Sequence, residues 1–404
     1  MSTFTRTDTS VVSRWWWTVD RWMLIAIVAI AAIGAILTLA ASPAVAERIG
    51  VDTFYFVRRQ FVFLPVALMV MFGVSLMTPR GVKRLAVVLG LTALVGMLAT
   101  LLVGDEIKGA SRWISLGGFS LQPSEFVKPA FAVIAAWMFT EHREDDHFPG
   151  TIVATGLFVI TAALLLLQPD VGMTAVVAAI WGVEFFLAGL PLLLVVVMAV
   201  TFAGGIVAAY FTFSHVQLRI DRFLDPSSGD GYQVTRALEA FRNGGLFGRG
   251  PGEGRVKEVL PDAHADFIFA VAGEEFGLIV CLVIVGLFAF IVLRGFSRVL
   301  REDNLFVLLA VAGLSVQFGL QVIINIASTI NLIPPKGMTL PFISYGGSSI
   351  LALALGMGML LALTRERRGG IGIAKIHRGG LRQKLQAFGL GRNHPVITVT
   401  GGAR

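Results

Sequence analysis

The segment Leu260–Gly277, LPDAHADFIFAVAGEEFG, joins ionisable residues directly to sequence that is apolar enough for a membrane. Placing a charged carboxylate in hydrocarbon is costly, so we interpret acidic residues at this position as functional. The alternative is that the acids at the start of the run only cap a helix, where the helix dipole favours negative charge. The ionisable residues of this segment are Asp262, His264, Asp266, Glu274 and Glu275.

The composition of the chain predicts a membrane protein. Of its 404 residues 55% are hydrophobic, and the mean hydropathy of +0.78 excludes an ordinary soluble domain. Much of the excess positive charge lies in the tail after Thr364, which is typical of a cytoplasmic juxtamembrane segment and gives no reason to expect nucleic-acid binding. Because Cys281 is the single cysteine, an intrachain disulfide is excluded.

Long apolar runs predict an all-α polytopic membrane protein with about ten transmembrane helices. The first run resembles a signal peptide, but its length of about twenty residues exceeds an h-region of roughly 7–15, so we interpret it as an uncleaved span. The membrane domain, 22–364, then follows a cytoplasmic tail, 1–21, and precedes a basic cytoplasmic tail, 365–404. The predicted spans are 22–42, 61–78, 84–103, 125–140, 150–167, 171–188, 191–211, 266–293, 304–327 and 345–364.

The distribution of basic residues predicts which way the spans face. Short basic loops at Arg80–Arg84 and Arg294–Arg301 alternate correctly with the basic tail, so the positive-inside rule places both termini in the cytoplasm. Arg58 and Arg59 lie on the opposite side from that rule's prediction. The segment 212–265, between spans 7 and 8, becomes a large extracytoplasmic loop, too long for a simple connector and therefore a lid or a binding platform.

The polar motifs all fall at the predicted outer ends of even-numbered spans, where helices begin. Free N–H groups and the positive end of the dipole make helix N-termini sites for anions. Their convergence near basic side chains predicts a phosphate or diphosphate ligand at the outer leaflet. The candidate binding residues are Arg112, Trp113, Glu125, Lys128, Asp170, Asp262, His264, Lys336, Ser344 and Ser348.

Several of these candidates have a structural alternative. Glu125 and Lys128 are spaced i, i+3 and can pair within the membrane, either as a structural ion pair or as ligand-binding residues. Asp170 is also a natural helix N-cap. Trp113 can offer a flat apolar face to a sugar or anchor the chain at the membrane interface. The small residues of Ser344–Ser349 also allow close helix packing.

Three further patterns favour structural roles. The segment Gly244–Gly252 does not follow a strand in a βαβ unit, so we interpret it as a close-approach loop and not a phosphate loop. The residues before it form an amphipathic pattern, which predicts a helix on the outer membrane surface; they are Val234, Leu238 and Phe241. Polar residues on one face of the ninth span predict interhelical contacts; they are Gln317, Gln321 and Asn325.

Five motifs follow one another along the chain: GASRWISLGGFSLQPSEFVK, QPDVGMT, GYQVTRALEAFRNGGLFGRGPGEG, LPDAHADFIFAVAGEEFG and KGMTLPFISYGGSS. With these motifs the chain resembles, from the first span to the last, the SEDS family (shape, elongation, division and sporulation) of polytopic peptidoglycan polymerases. The segment Lys336–Ser349 is closer to the division branch of that family than to the elongation branch. The chain departs from the family pattern in having Asp262 where Glu is usual and Ala265 where a hydroxyl residue is usual, whereas Asp266 matches the catalytic aspartate.

The resemblance implies an inverting glycosyltransferase that polymerises lipid II onto a glycan carried on undecaprenyl diphosphate, at the outer face of the cytoplasmic (inner) membrane and at the division septum. It also implies a complex with a class B penicillin-binding protein transpeptidase and other divisome proteins. A divalent cation (Mg or Mn) is expected to assist, with no ligands assignable from the sequence. The alternatives are a lipid II transporter, the elongation branch with the same chemistry, and a scaffold, which would leave the charges unexplained.

The chemistry that the resemblance implies needs one carboxylate. A base takes the proton from the acceptor hydroxyl as it attacks the anomeric carbon, and the diphosphate leaves as a stable anion, unlike the leaving group in glycoside hydrolysis. Cationic groups that stabilise the leaving diphosphate complete the requirement. We therefore predict that Asp266 is the general base, with Asp262 as the rival carboxylate.

Overall fold

The computed structural model describes residues 10–107, 110–116, 119–189, 192–212, 216–217, 220–221, 223 and 232–365. The predicted basic tail, 365–404, lies outside the described residues apart from Arg365, and so do the first nine residues of the predicted N-terminal tail. The predicted outer loop, 212–265, is described mainly from Tyr232 onward.

The described chain confirms the predicted all-α membrane fold. Six of its helices (α2, α3, α4, α6, α11 and α12) are long and apolar enough to cross a membrane, and α7 and α13 are shorter apolar helices; the total of ten spans stays a prediction. The helices are α1 Val11–Thr18, α2 Arg21–Ile49, α3 Tyr55–Ser75, α4 Pro79–Val103, α5 Pro123–Glu144, α6 Gly150–Leu167, α7 Val171–Leu187, α8 Leu192–Thr212, α9 Tyr232–Gly244, α10 Val256–Val259, α11 Ile268–Val299, α12 Leu305–Thr329 and α13 Gly347–Leu363.

A short helix that the sequence analysis did not predict, α1, packs beneath the bundle. Its Trp15 donates a hydrogen bond from Nε1 to Ser75 Oγ at 2.8 Å and meets the Phe72 ring edge-on at 4.7 Å. Helices α2 and α11 are joined at the same end of the bundle. Asp20 caps α2 and accepts hydrogen bonds from Arg294 and Arg298 of α11. These contacts fix the ends of α2 and α11 to each other.

A small antiparallel sheet lies between α4 and α5, in order β1-β2-β3. Its strands are β1 Asp105–Ile107, β2 Ala110–Leu116 and β3 Phe119–Leu121. From the sequence, this segment was predicted only to precede a helix. The register pairs Ile114 with Leu121 and Ser115 with Ser120, and this hairpin brings the start of α5 to the same end of the bundle as the site described below.

Helix α11 is broken at Gly277, whose φ of 79° and ψ of 178° are not helical. The Gly-rich loop between α9 and α10, residues 245–255, fills the break. Arg249 N–H donates to the Glu274 carbonyl at 2.9 Å, and Leu278 N–H donates to the Gly245 carbonyl at 3.0 Å. A Cβ on Gly277 would lie 2.4 Å from the loop backbone. The close-approach interpretation of this loop is therefore confirmed, because only glycine permits both the positive φ and the contact.

The two acidic residues just before this break, Glu274 and Glu275, are buried, and both bind the loop. Glu274 accepts hydrogen bonds from the backbone N–H groups of Arg255 and Val256. Glu275 accepts one from Gly252 N–H at 2.8 Å. Our interpretation of these two acids as functional charges at the site is therefore corrected: their oxygens hold the segment that precedes the site, which accounts for their cost of burial.

Helix α9 confirms the predicted amphipathic helix but not its predicted environment. Val234 is buried, and the Phe241 ring covers Gly273 of α11 so closely that a Cβ there would lie 2.3 Å from it. Protein, and not lipid, therefore covers the apolar face of this helix.

Candidate functional site

A cavity of about 1590 Å³ opens at the end of the bundle that carries the small sheet, and we call it the polar cavity. Nine of the eleven sequence-predicted site residues line it; they are Arg112, Trp113, Glu125, Asp170, Asp262, His264, Asp266, Lys336 and Ser348. Lys128 and Ser344 do not line it, although both were predicted to bind substrate. The starts of α5, α7 and α13 converge on this cavity, as the positions of the polar motifs predicted.

A tight turn ahead of α11 presents Asp266 to the cavity. Asp262 has a φ of 53°, and its carbonyl accepts hydrogen bonds from the N–H groups of Ala265 and Asp266, each at 3.0 Å. Short polar residues tolerate this left-handed conformation better than other side chains do. Asp266 is half-buried, and a Cβ on Gly337 would lie 3.3 Å from its Oδ2, so the wall opposite the carboxylate is glycine.

The loop before α13 fixes this turn from the front. Ser344 Oγ donates to the Ala265 carbonyl and accepts from Leu340 N–H at 2.8 Å. Tyr345 N–H donates to the His264 carbonyl at 3.0 Å. The prediction that Ser344 binds substrate is corrected, because its hydroxyl is used to hold the turn that carries Asp266.

The polar stripe on α12 makes the interhelical contacts that its spacing predicted. Asn325 donates from Nδ2 to the Asp266 carbonyl at 2.9 Å and to the Met338 carbonyl at 2.7 Å. Gln321 donates to the Thr339 carbonyl at 3.1 Å. One helix thereby holds both the turn that carries Asp266 and the loop that faces it.

Glu125 and Lys128 form an ion pair on α5, as their spacing allows. The distance from Lys128 Nζ to Glu125 Oε2 is 2.8 Å, and Nζ also donates to Gln321 Oε1 at 2.9 Å. Lys128 is 1% exposed, so its ammonium lies behind the cavity wall and only Glu125 faces the cavity. The prediction that Lys128 lines the cavity was wrong, because the pair and Gln321 hold it among α5 and α12.

Arg112 and Asp170 also pair with each other. Arg112 Nη1 lies 3.1 Å from Asp170 Oδ2, and the guanidinium donates to the carbonyls of Gln168 at 2.8 Å and Pro169 at 2.6 Å. Asp170 accepts from Met173 N–H at 3.1 Å and so caps α7. Much of the hydrogen-bonding capacity of Arg112 is therefore spent on the turn between α6 and α7.

Arg59 is a cavity residue that the sequence analysis missed. It lines the cavity on α3, where Nη1 donates to the hydroxyl of Tyr55 at 2.6 Å. The signal was present in the sequence, because Arg58 and Arg59 contradict the positive-inside rule.

His264 lies in an apolar environment beside the same turn. Its ring centroid is 4.3 Å from that of Phe56 and 5.4 Å from that of Tyr345. Burial lowers the pKa of His264 to about 4, with Arg48 acting in the same direction and Asp262 opposing it. His264 is therefore neutral at pH 7 and carries no charge to a ligand.

The depressed pKa of His264 predicts how stability depends on pH. The unfolded chain takes up a proton near the ordinary pKa of 6.5, whereas the folded chain resists until about 4, so stability is full above pH 6.5 and falls as the pH decreases. The expected loss is about 3 kcal/mol by pH 4. Thermal unfolding of the purified protein between pH 4 and 7 measures it, and His264→Gln is expected to flatten that part of the curve; an unchanged slope in this variant contradicts the assignment.

Cation ligands were not assignable from the sequence, and the described residues do not supply a set: no three His, Cys, Asp or Glu side chains among them converge as a metal site. Four carboxylates of the described chain line the cavity, but Glu125 is paired with Lys128 and Asp170 with Arg112; the other two are Asp262 and Asp266. The divalent cation that the family resemblance implies therefore stays a prediction, with no ligands assigned among the described residues.

A family model described as Cell cycle protein, named for FtsW, RodA and SpoVE, matches residues 21–369. The chain belongs to this FtsW/RodA/SpoVE family. The family assignment confirms the SEDS resemblance. Together with the names of the relatives below, it also confirms the prediction of a glycosyltransferase that spans the membrane several times.

Relatives and solved structures of the FtsW/RodA/SpoVE family resemble nearly the whole chain. A probable peptidoglycan glycosyltransferase FtsW from Caulobacter vibrioides is 46% identical over 370 residues, 91% of this chain and 95% of its own. Its counterpart from Coxiella burnetii is 35% identical over 87% of this chain and 97% of its own.

Two solved structures share the fold at 27% identity. One, described as the structural coordination of polymerization and crosslinking by a peptidoglycan synthase complex, covers 86% of this chain and 97% of its own with a TM-score of 0.71. The other, the rod shape determining protein RodA of Thermus thermophilus, covers 88% of this chain and 99% of its own with a TM-score of 0.63.

Proposed function

We propose that this chain polymerises lipid II into glycan strands at the outer face of the cytoplasmic membrane during septal cell-wall synthesis. The observation that carries the proposal is Asp266, whose carboxylate faces the polar cavity from a turn held by Ser344, Tyr345 and Asn325. A general base must be fixed close to the proton that it accepts. The names of the FtsW relatives supply the substrate class.

In the proposed reaction a sugar hydroxyl of the acceptor attacks the anomeric carbon of the donor. Asp266 accepts the proton of that hydroxyl, the new glycosidic C–O bond forms, and the C–O bond to the diphosphate breaks with inversion. The diphosphate leaves as an anion, so no acid is needed. Positive charge at the developing anion lowers the barrier, and the cavity offers Lys336, Arg59 and the N-termini of α7 and α13 for this purpose.

The paired residues have a smaller share in this scheme than the sequence analysis gave them. Arg112 is paired with Asp170, and Lys128 with Glu125, so each couple has little net charge to offer a diphosphate. Trp113 and Ser348 line the same cavity, but Ser348 Oγ already donates to the Ser120 carbonyl. Lys336 and Arg59 also line the cavity, and we propose that their positive charges take part in binding the diphosphate.

The proposal includes a partner. A class B penicillin-binding protein transpeptidase would crosslink the strands that this chain makes, and other divisome proteins would assemble with the pair. The support is the likeness to a chain whose structure is described as a peptidoglycan synthase complex that coordinates polymerization and crosslinking. The division branch, and not the elongation branch, is favoured by the FtsW names of the relatives.

The proposed orientation places the polar cavity outside and both termini in the cytoplasm. A cysteine introduced at Arg80, exposed at the start of α4, should be labelled only from the cytoplasm. One introduced at Phe247, exposed in the Gly-rich loop, should be labelled only from outside. Membrane-impermeant thiol labelling of intact cells and of inverted vesicles, with Cys281 replaced by Ala, measures this. A reversed pattern would overturn the orientation and the proposed function with it.

The second candidate is transport of lipid II. It is favoured by the break of α11 at Gly277, because carriers often contain discontinuous helices. The deciding experiment combines the purified protein, its cognate transpeptidase and lipid II. We expect the wild-type protein to make glycan polymer and the Asp266→Asn variant to make little or none. Absence of polymer together with movement of lipid II across vesicles would establish the carrier instead.

A further inference from the structure

Lys257, on the short helix α10, is buried and outside the polar cavity. All three N–H bonds of its ammonium have an acceptor: Glu275 Oε1 at 2.6 Å, the Gly252 carbonyl at 2.8 Å and the Ala40 carbonyl at 2.9 Å. A buried ammonium is costly unless it is paired and fully hydrogen-bonded. The ammonium of Lys257 meets both conditions, so one nitrogen atom, Nζ, constrains the positions of all three acceptors.

The three acceptors belong to three separate parts of the fold. Ala40 is on α2. Gly252 is in the Gly-rich loop. Glu275 lies two residues before the break of α11 at Gly277, and its second oxygen accepts from Gly252 N–H. Lys257 therefore joins α2, the loop and the first segment of α11.

The same region supports the rear of the turn that carries Asp266. Leu260 and Ala263 are fully buried in an apolar cluster with Ala41 and Val45 of α2. Phe267, immediately after Asp266, belongs to the same cluster. The front of the turn is fixed by hydrogen bonds from α12 and from the loop before α13. Its rear rests on α2, whose distance from α11 is set in part at Lys257.

We infer that Lys257 is a positioning residue for Asp266. It contacts neither the cavity nor the reacting atoms, and it acts by holding α2, the Gly-rich loop and the broken segment of α11 in one arrangement. The inference rests on the proposed function, because positioning is defined relative to the proposed base. A displacement of about 1 Å of a catalytic group reduces turnover by up to about 10²-fold.

The test uses variants that avoid an unpaired buried charge. Lys257→Met alone would strand the Glu275 carboxylate, so the informative variant is Lys257→Met combined with Glu275→Gln, which removes both charges and nearly keeps both volumes. The matched control is Lys83→Met with Glu141→Gln, another lysine–glutamate pair, at the opposite end of the bundle and 3.7 Å apart. Each protein is assayed as its complex with the cognate transpeptidase, on lipid II, after the folded fraction has been measured.

Positioning predicts that the Lys257/Glu275 double variant folds and binds its partner, that its kcat per folded molecule falls by about 10–10²-fold, and that its KM for lipid II stays unchanged. The control pair should keep the wild-type kcat. An unchanged kcat, or a loss explained entirely by a smaller folded fraction or by a raised KM, would overturn the inference. If the wild-type complex itself makes no polymer, the proposed function has failed, which is a different result from a wild-type kcat in the double variant.

Discussion

Asp266→Asn is expected to lower polymerisation of lipid II by about 10²–10⁴-fold, the usual effect of losing a general base. Asparagine keeps the shape of the side chain and removes its ability to take a proton at neutral pH. Folding should be preserved, because the turn is held through the backbone carbonyl of Asp266, which accepts from Asn325. The measurement is glycan synthesis by the purified complex, with thermal unfolding and transpeptidase binding recorded on the same preparation.

Asp262→Asn is the matched control for this experiment. Asp262 has a positive φ of 53°, which asparagine tolerates as well as aspartate does, and its carboxylate lines the same cavity. We expect this variant to keep polymerising lipid II, with a much smaller loss of rate than Asp266→Asn. Near-normal synthesis by Asp266→Asn together with an inactive Asp262→Asn would show that Asp262, and not Asp266, is the general base.

Lys128→Met is expected to destabilise the folded protein by about 3–5 kcal/mol, since it leaves the Glu125 carboxylate charged and without its buried partner. Lys128 is 1% exposed, and its ammonium lies 2.8 Å from Glu125 Oε2. The sequence left a structural ion pair and a ligand-binding role open for these residues, and the burial of Lys128 favours the structural role. Thermal or denaturant unfolding in detergent measures the loss.

The combination Lys128→Met with Glu125→Gln separates the two roles. If the pair is structural, removing both charges restores most of the stability that the single change costs, because replacing a buried pair by neutral groups is often nearly neutral. If Lys128 binds the diphosphate, the single variant folds normally and its KM for lipid II rises. That second outcome would return Lys128 to the binding site, against the assignment made from its burial.

The sequence by itself determined the class of fold, the positions of the long apolar helices and the family. Hydrocarbon requires long uninterrupted apolar helices, so hydropathy alone marks where they lie. The N-cap role of Asp170 and the pairing of Glu125 with Lys128 were also predictable, because both depend on neighbours within four positions along the chain.

Only the tertiary structure decided which polar side chains reach the cavity. Lys128 and Ser344 lie in the predicted motifs, but neither lines the cavity. Lys128 donates a hydrogen bond to Gln321, and Ser344 donates one to the Ala265 carbonyl. Arg59 reaches the cavity although it had seemed only an exception to a charge rule. The partners in these contacts are far apart in sequence. Local spacing specifies the face of a helix, whereas the packing of helices from distant parts of the chain decides what that face meets.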